Sequence, residues 1–352
     1  MVGTFLKRIY SSFATNVLDV PPRLLAFLLF LLLLFLPMAR PARVYLGIVI
    51  VAFIYAIFAT SWDLLVGRAG QVSLGHALFF GISAYFSAFL SRFHGLPLWT
   101  TIPLCMLLCA LVAVLLGFPC LRVKGPYLTL VTMAFPLILS VILFSLPTPY
   151  GGEGGIANIS SLFPSEFFKK IGFSHFEALY AQRVAEYYII LFLLLVSSII
   201  LYKVANSKTG IVLVSILDDE SASKACGINV TKYKLLAWAI SALFAGLAGG
   251  LFAHFIGSAP PTNVLGLTIS FYPVIMTILG GIGTIYGAIV GAFTIHSLME
   301  IFEFAEELTS IIYVGIIIVF VVKWPTGIAR SIVEKLDELT EKRELDEREK
   351  KK

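Results

Sequence analysis

VYLGIVIVAFIYAIFATSWDLLV, residues 44–66, runs for 23 residues with a single charge, Asp63. A helix of that length rises about 35 Å, enough to cross the hydrocarbon core of a bilayer, which takes roughly 20 apolar residues. The run is continuously apolar and does not alternate, so it does not read as a barrel strand. Lipid offers open backbone no hydrogen-bond partner, which leaves a helix as the only way to cross.

Working outward, similar runs recur along the chain. They predict about ten crossings, near 24–38, 44–66, 72–91, 99–121, 127–148, 186–205, 235–256, 264–280, 286–302 and 309–323. The expected fold is all-α, a polytopic integral membrane protein. Composition agrees: of the 352 residues 59% are hydrophobic and 13% charged, against roughly 25% charged in soluble domains. Fifteen of the charged residues fall in the last 22 positions, so the apolar body is poorer still in charge. A soluble globular enzyme is excluded on these grounds. The organisation that follows is an N-terminal segment 1–23, a transmembrane domain 24–325 and a charged tail 326–352. The first run has a basic flank in Lys7, Arg8 and Arg23 and reads as a signal anchor, because further spans follow at once.

Ten crossings put both termini on one side, and basic residues decide which. With cytoplasmic termini the inner segments up to residue 330 hold thirteen Lys and Arg, among them Arg68, Arg122, Lys124, Lys203, Lys232 and Lys234, against six outside, so the bias favours both ends inside. The loop 149–185 then faces out and the loop 206–234 faces in. Spans two to five and seven to ten would run in opposite senses, which predicts an inverted repeat about an axis in the membrane plane. Each half carries a glycine-interrupted stretch, Gly67 to Gly81 and Gly280 to Ala292. The tail mixes eight acids and seven bases at helical spacing and reads as a solvated extension.

Ionisable groups inside the spans are few, and each would cost about 3 kcal/mol or more at the bilayer centre. Asp63 reads as an interfacial residue reaching water, Glu300 and Glu303 lie near the outer end of span nine, and His76 follows a glycine break among small residues. The sequence holds no GxSxG, HExxH or GxxxxGK[ST] motif, so ATP hydrolysis by this chain is not expected. Cys105, Cys109, Cys120 and Cys226 lack the spacing of a metal site or redox dithiol, and Cys105 and Cys109, on one helix face at i, i+4, read as packing thiols. No cofactor and no metal is implied. Energy for uphill transport would have to come from a partner.

The inner loop offers a place for that. In DDESASKACG, Asp218 or Asp219 can cap a short helix, acids stand in its first turn and Lys224 in its last, and Gly227 supplies a left-handed stop. About two turns result, with small residues Ala222, Ala225 and Cys226 on one face. By its residues alone this stub is equally a surface linker and a lever between two spans.

Five stretches carry a resemblance. GQVSLGHALFFGISAY (Gly70 to Tyr85), KGPYLTLVTMAF (Lys124 to Phe135), YGGEGGIANI (Tyr150 to Ile159), the stretch from Asp218 to Ala253, and ILGGIGTIYGAIVGA (Ile278 to Ala292) occur in this order. Together they resemble the membrane permeases of branched-chain amino-acid ABC importers, the LivM family, over roughly residues 45–325. The resemblance implies a type II importer architecture in the cell (plasma or inner) membrane. It also implies a second homologous permease subunit as heterodimer partner, two cytoplasmic ATP-binding subunits and an extracytoplasmic solute-binding protein near the loop 149–185. Asp218, Asp219, Glu220, Lys224 and Gly227 would form the ATPase-coupling loop. Gly70, Gln71, Ser73, Gly75 and His76 would lie beside the translocation pathway, with Gly280, Gly281, Gly283 and Gly287 as close packing or gate in the second half. Two positions depart from the family pattern: Leu217 stands where a basic residue commonly precedes the acidic pair, and Pro136 where a polar residue is more usual. No nucleic-acid partner is implied.

The implied solutes are branched-chain or related hydrophobic amino acids. A competing reading is a sodium-coupled secondary transporter of a small neutral or zwitterionic solute, since carbonyls and hydroxyls of broken helices can hold sodium without a carboxylate. A membrane transferase built on Asp218, Asp219 and Glu220 is poorly supported, because no second acidic cluster faces them.

Overall fold

A computed structural model describes residues 31–38, 42–123, 125–302, 315, 318–320 and 322–335. The elements in order are α1 (Ala42–Ala69), α2 (His76–His94), α3 (Leu98–Cys120), α4 (Pro126–Ser145), β1 (Ile156–Ala157), α5 (Ser165–Lys170), α6 (His175–Ala205), α7 (Lys208–Asp218), α8 (Glu220–Ala225), α9 (Val230–Ile256), β2 (Ser258–Ala259), α10 (Pro261–Leu265), α11 (Leu267–Gly280) and α12 (Tyr286–Phe302). The two strands pair antiparallel, Ile156 opposite Ala259, in a ladder of two residues each.

Among the described residues six helical segments are long and apolar enough to cross a membrane: Tyr45–Ala69, Leu98–Cys120, Pro126–Ser145, His175–Ala205, Val230–Ile256 and Pro261–Gly280. The chain is a multi-pass membrane protein. Six is fewer than the ten expected, for identifiable reasons. Helix α12 is apolar but short, at 17 residues. Helix α2 carries Ser83, Ser87, Ser91 and Tyr85, which face inward and are buried. Of the span expected at 24–38 only residues 31–38 are described, the span expected at 309–323 lies mostly outside the described residues, and Lys124, Glu303, the segment 1–23 and the tail beyond 335 lie outside them.

Three boundaries move. Helix α2 starts at His76 rather than 72, because the chain leaves α1 through Gly70 at φ +64° and stays irregular to Gly75. Helix α6 starts at His175 rather than 186. Its capping box joins Ser174 Oγ to the Glu177 N–H and the Glu177 carboxylate to the Ser174 N–H, and holds the helix eleven residues into the expected outer loop. Helix α9 starts at Val230, where the Asn229 side chain accepts from Lys232 N at 3.0 Å.

Helices α1 and α9 form the centre. Phe53, Phe58 and Trp62 of α1 are fully buried, and Tyr55 stacks among Phe80, Phe252 and Tyr272. Helix α9 reads SALFAGLAGG through its middle, and these small residues let neighbours close in. A Cβ at Gly249 would overlap the Phe80 carbonyl of α2, and one at Gly246 would lie 2.9 Å from Cys109 Sγ of α3. The Cys109 thiol donates to Phe79 O at 3.2 Å, and Cys105, Cys109 and Cys120 are all buried.

The outer helices show the reverse pattern. In α3, Leu104, Leu107, Leu111, Leu115 and Phe118 form an exposed apolar stripe at helical spacing, and Leu130, Ile138, Val141 and Ile142 do the same on α4. Apolar stripes on the outside with small and hydroxyl residues inside suit lipid as solvent. Loops collect at two ends. One, here the upper end, carries residues 146–174 and the α9–α10 link; the lower end carries 70–75, 121–123, 206–229 and 281–285.

Candidate functional site

At the lower end the stretch Gly70 to Gly75 is laid against α4. Trp62 Nε1 donates to Ser73 O at 2.7 Å, Leu74 N to Thr132 Oγ1 at 3.2 Å, and Thr129 Oγ1 to Val72 O at 3.0 Å. Gly75 is required by contact, since a Cβ there would lie 2.8 Å from Thr132 O. Ser73 Oγ accepts from Gly75 N at 3.1 Å. The loop is thus fixed by five residues of α1, α4 and its own turn.

His76 opens α2 and is fully buried. Its Nε2 sits 2.6 Å from Ser241 Oγ, which in turn donates to Ser61 O, so His76 joins α2, α9 and α1. Ser73, Gly75 and His76 therefore serve packing and hydrogen bonding in the bundle. Gly70 and Gln71 differ: with Val72 they line a cavity of about 670 Å³.

That cavity brings together stretches far apart in sequence. Its wall includes Gly70 and Gln71, Leu121, Val123, Gly125 and Pro126 of the α3–α4 turn, Thr129 and Leu130 of α4, and Glu220 and Lys234. The Gly70 to Gly75 loop and the stub thus share one space. Leu217, at the departure from the family pattern, lies where a Cβ on Gly70 would be, 2.5 Å from its Cδ1, so the end of α7 packs on the loop through an apolar contact.

The stub is α8. Asp218 ends α7, and Asp219 caps α8 by accepting from Ser221 N at 2.7 Å and Ala222 N at 3.0 Å. Gly227 has φ +82° and ends it, as its position requires. Ser223 is buried and bonds back to Ser215 O of α7, whereas Ala222, Ala225 and Cys226 are exposed. Glu220 receives Lys224 Nζ at 2.7 Å and Lys234 Nζ at 2.7 Å. These hydrogen bonds, Lys224 first, hold its carboxyl down at about 2. Lys234, in the second turn of α9 and only 12% exposed, was not singled out by the sequence, because fourteen residues of separation across an irregular link follow no helical period.

The second glycine cluster lies in the α11–α12 turn. Asp63 is not a residue reaching water: it is fully buried and accepts from Gly283 N at 2.5 Å and Ile285 N at 2.8 Å. A Cβ on Gly67 would overlap the Gly283 backbone, one on Gly280 the Gly287 carbonyl, and one on Gly327 the Gly281 backbone. Gly280, Gly281, Gly283 and Gly287 are thus close-packing positions, and none of them lines the 670 Å³ cavity. A second cavity, about 690 Å³, is lined by Ile48, Val51, Arg183, Phe255, His296 and Glu300, with the Arg183 guanidinium 4.6 Å from the Phe255 ring centre. Arg183 also pairs at 3.3 Å with Glu186, a fully buried carboxylate on α6 that the sequence reading passed over.

Among the described residues no group of three His, Cys, Asp or Glu is arranged to hold a metal ion. What the lower end does hold is a cavity, a fixed loop and an exposed stub. Residues 44–321 match the family described as branched-chain amino acid transport system / permease component. The chain belongs to this permease family. Two relatives, each a high-affinity branched-chain amino acid transport system permease protein LivM, from Salmonella typhimurium and Escherichia coli K12, are 32% identical over 311 residues, covering 84% of this chain and 73% of theirs. A probable branched-chain amino acid transport permease protein LivH of Methanocaldococcus jannaschii is 33% identical over 108 residues, about a third of each chain. No solved structure is significantly similar. The permease match spans α1 to α12, so both glycine clusters, the stub and the 670 Å³ cavity fall within it.

Proposed function

We propose that this chain is one of two related permease subunits of an ATP-driven importer, carrying branched-chain or related hydrophobic amino acids. Separate ATPase subunits dock at the lower end on residues Asp218 to Gly227. A solute-binding protein docks at the upper end on the loop preceding α6. The lower end and both termini are cytoplasmic, and ten crossings arranged as an inverted repeat complete the subunit.

The observation that carries this reading is the shared cavity. Glu220 and Lys234, which orient the stub, line the same space as Gly70 and Gln71. A push on α8 therefore reaches the loop directly, through Leu217 on Gly70 and through the Glu220 contacts. The exposed small face of Ala222, Ala225 and Cys226 suits insertion into a groove on another chain. The exposed apolar flank of α4 suits a second permease beside lipid. Gln71 would offer weak neutral hydrogen bonds to a passing zwitterion, a contact that releases as easily as it forms.

The test is reconstitution in proteoliposomes. The isolated chain is expected to hydrolyse no ATP and to accumulate no solute, whereas the chain with its partner permease, two ATPases and a leucine-loaded binding protein takes up leucine only with ATP. Sodium-driven accumulation by the isolated chain would overturn the reading in favour of a secondary carrier.

A further inference from the structure

Both docking surfaces proposed above are bonded to one helix. At the upper end His254 of α9 is fully buried, and its Nδ1 lies 2.7 Å from the Ser160 carbonyl oxygen. A carbonyl only accepts, so Nδ1 carries the proton and donates. Nε2 faces Ser87 Oγ of α2 at 2.8 Å, and Ser87 reaches Thr101 Oγ1 of α3 at 3.0 Å. Ser91 Oγ lies 2.5 Å from Ser160 Oγ. Immediately beyond His254 the loop is tied again. Ile159 N donates to Gly257 O at 3.1 Å, and the β1–β2 ladder pairs Ile156 and Ala157 with the two residues that follow. A Cβ on Gly155 would overlap the Ala259 carbonyl, so the contact is backbone on backbone. The loop 155–160 therefore moves with the last turn of α9.

At the lower end α9 holds the stub. Lys234 Nζ to Glu220 Oε2 crosses from the second turn of α9 to the first turn of α8 at 2.7 Å. The covalent link between the two helices passes through Gly227, which nothing contacts within 4 Å of a would-be Cβ. The Lys234 contact ties the stub to α9, while Ser223 Oγ on Ser215 O ties it to α7. Between the two attachments α9 is a single helix of 27 residues containing no proline, closely packed on α2 and α3 by its glycines. His254 and Lys234 are twenty residues apart, about 30 Å along the axis.

We propose that α9 is the strut that transmits the docking state of the upper loop to the coupling stub, with His254 and Lys234 as the positioning residues at its two ends. This rests on the reading of the two loops as docking surfaces given above. Coupling between distant sites requires a rigid element whose position both sites bias, and α9 meets that requirement with the buried His254 attachment at its upper end and the part-buried Lys234–Glu220 ion pair at its lower end. His254 does not line the 670 Å³ cavity, and the role assigned here to both residues is positional. They fix the angle of the loop and of the stub on a common body.

The test uses the assembled importer in nanodiscs and reads ATPase activity with and without the leucine-loaded binding protein. His254→Gln places its amide near the Nε2 position, keeping Ser87 but releasing Ser160. His254→Asn places it near Nδ1 and keeps Ser160. The strut predicts that H254Q lowers the stimulation ratio about fivefold with basal ATPase unchanged, while H254N stays within about twofold of the native complex. K234M lowers the same ratio from the other end. The double variant H254Q/K234M is expected to fall no further than the worse single one, since both cut one line of transmission. An unchanged ratio in a correctly assembled H254Q complex overturns the proposal, as do losses that multiply in the double variant. Equal loss of assembly by H254N and H254Q, seen in gel filtration, assigns His254 to packing alone and overturns it too. If the native complex is not stimulated at all, the docking surfaces themselves are wrong, and the strut falls with them.

Discussion

Asp63 and Glu220 are both carboxylates at the lower end of the bundle, yet they are held in opposite ways. Asp63 is fully buried and grips two backbone N–H groups of a turn 220 residues away, beside glycines so close that no Cβ fits. Glu220 is partly exposed and holds two lysine ammonium groups, one on its own short helix and one on α9. The first arrangement has no slack: backbone meets backbone, and its donors have no water to turn to. The second is a pair of long side chains in partial solvent, which re-form in many geometries at small cost. A transporter needs both, a frame that keeps α1, α11 and α12 in register and a lever that can tilt. The difference in how the carboxylates are satisfied separates frame from lever.

The comparison breaks most readily at Asp63. Asp63→Ala leaves the Gly283 and Ile285 amides buried without an acceptor, a loss of about 2–5 kcal/mol. The expected result is a sharp fall in folded yield and in the melting temperature of the detergent-solubilised chain. A native-like melt would mean the turn is held by something else.

Gly67→Ala tests the same frame from its steric side. The new methyl would overlap the Gly283 backbone, so either α1 or the turn must shift, at about 1–3 kcal/mol. The melting temperature should drop by less than for Asp63→Ala. Because the two sites share Gly283, the double variant should lose less than the sum of the singles.

On the lever side the expected signature is function lost with stability kept. Gly227→Val puts a β-branched residue at φ +82° with open space around it, so the cost of about 1–2 kcal/mol is backbone strain alone and falls on the stub. Uptake should uncouple from ATP hydrolysis in the reconstituted importer while the melting temperature of the permease barely moves. If coupling is intact, α8 is only a linker.

Glu220 adds a pH statement. Its carboxyl is lowered from 4.5 to about 2 by Lys224 and Lys234, so the stabilisation it gives is present above the unfolded value and is lost as pH falls from 4.5 through about 2. Coupling should therefore be flat in this contact between pH 5 and 8, measured as the ratio of uptake to ATP hydrolysis. A Glu220-dependent change within that window, absent in Glu220→Gln, would show the ion pairs to be weaker than their geometry.

How much of this was readable in advance depends on the range of the interaction. Residues 44–66 announce α1 because a span is a local property, and Gly227 announces the end of α8 for the same reason. Ser174 and Glu177 also announced the start of α6 by their spacing, but the polar run around them reads as loop when hydropathy is the only guide. Either Asp218 or Asp219 could cap; the fold uses Asp219 because Asp218 is still the last residue of α7. Asp63 with Gly283, Lys234 with Glu220, and His254 with Ser160 were illegible, since each joins elements brought together only by packing. His76 follows the same logic: its glycine neighbours marked it as special, yet what they permit is burial against Ser241.

The smallest effect sharpens the lever without disturbing it. Cys226 is the one exposed thiol of the four, the others being buried in α3, so a maleimide reads a single position on the stub. Cys226→Ala should leave melting temperature and uptake unchanged, because the side chain sits in the open and its neighbours Ala222 and Ala225 are small and exposed as well. In the native chain, labelling should be complete for the isolated permease and slow by about tenfold or more once ATPase subunits dock, since an interface that accepts so small a face excludes water at its core. Full protection by ATPase together with none by the binding protein places the contact on the lower end. Equal labelling rates with and without ATPase would move the docking surface off α8, and Glu220 and Lys234 would then orient a helix that no partner touches.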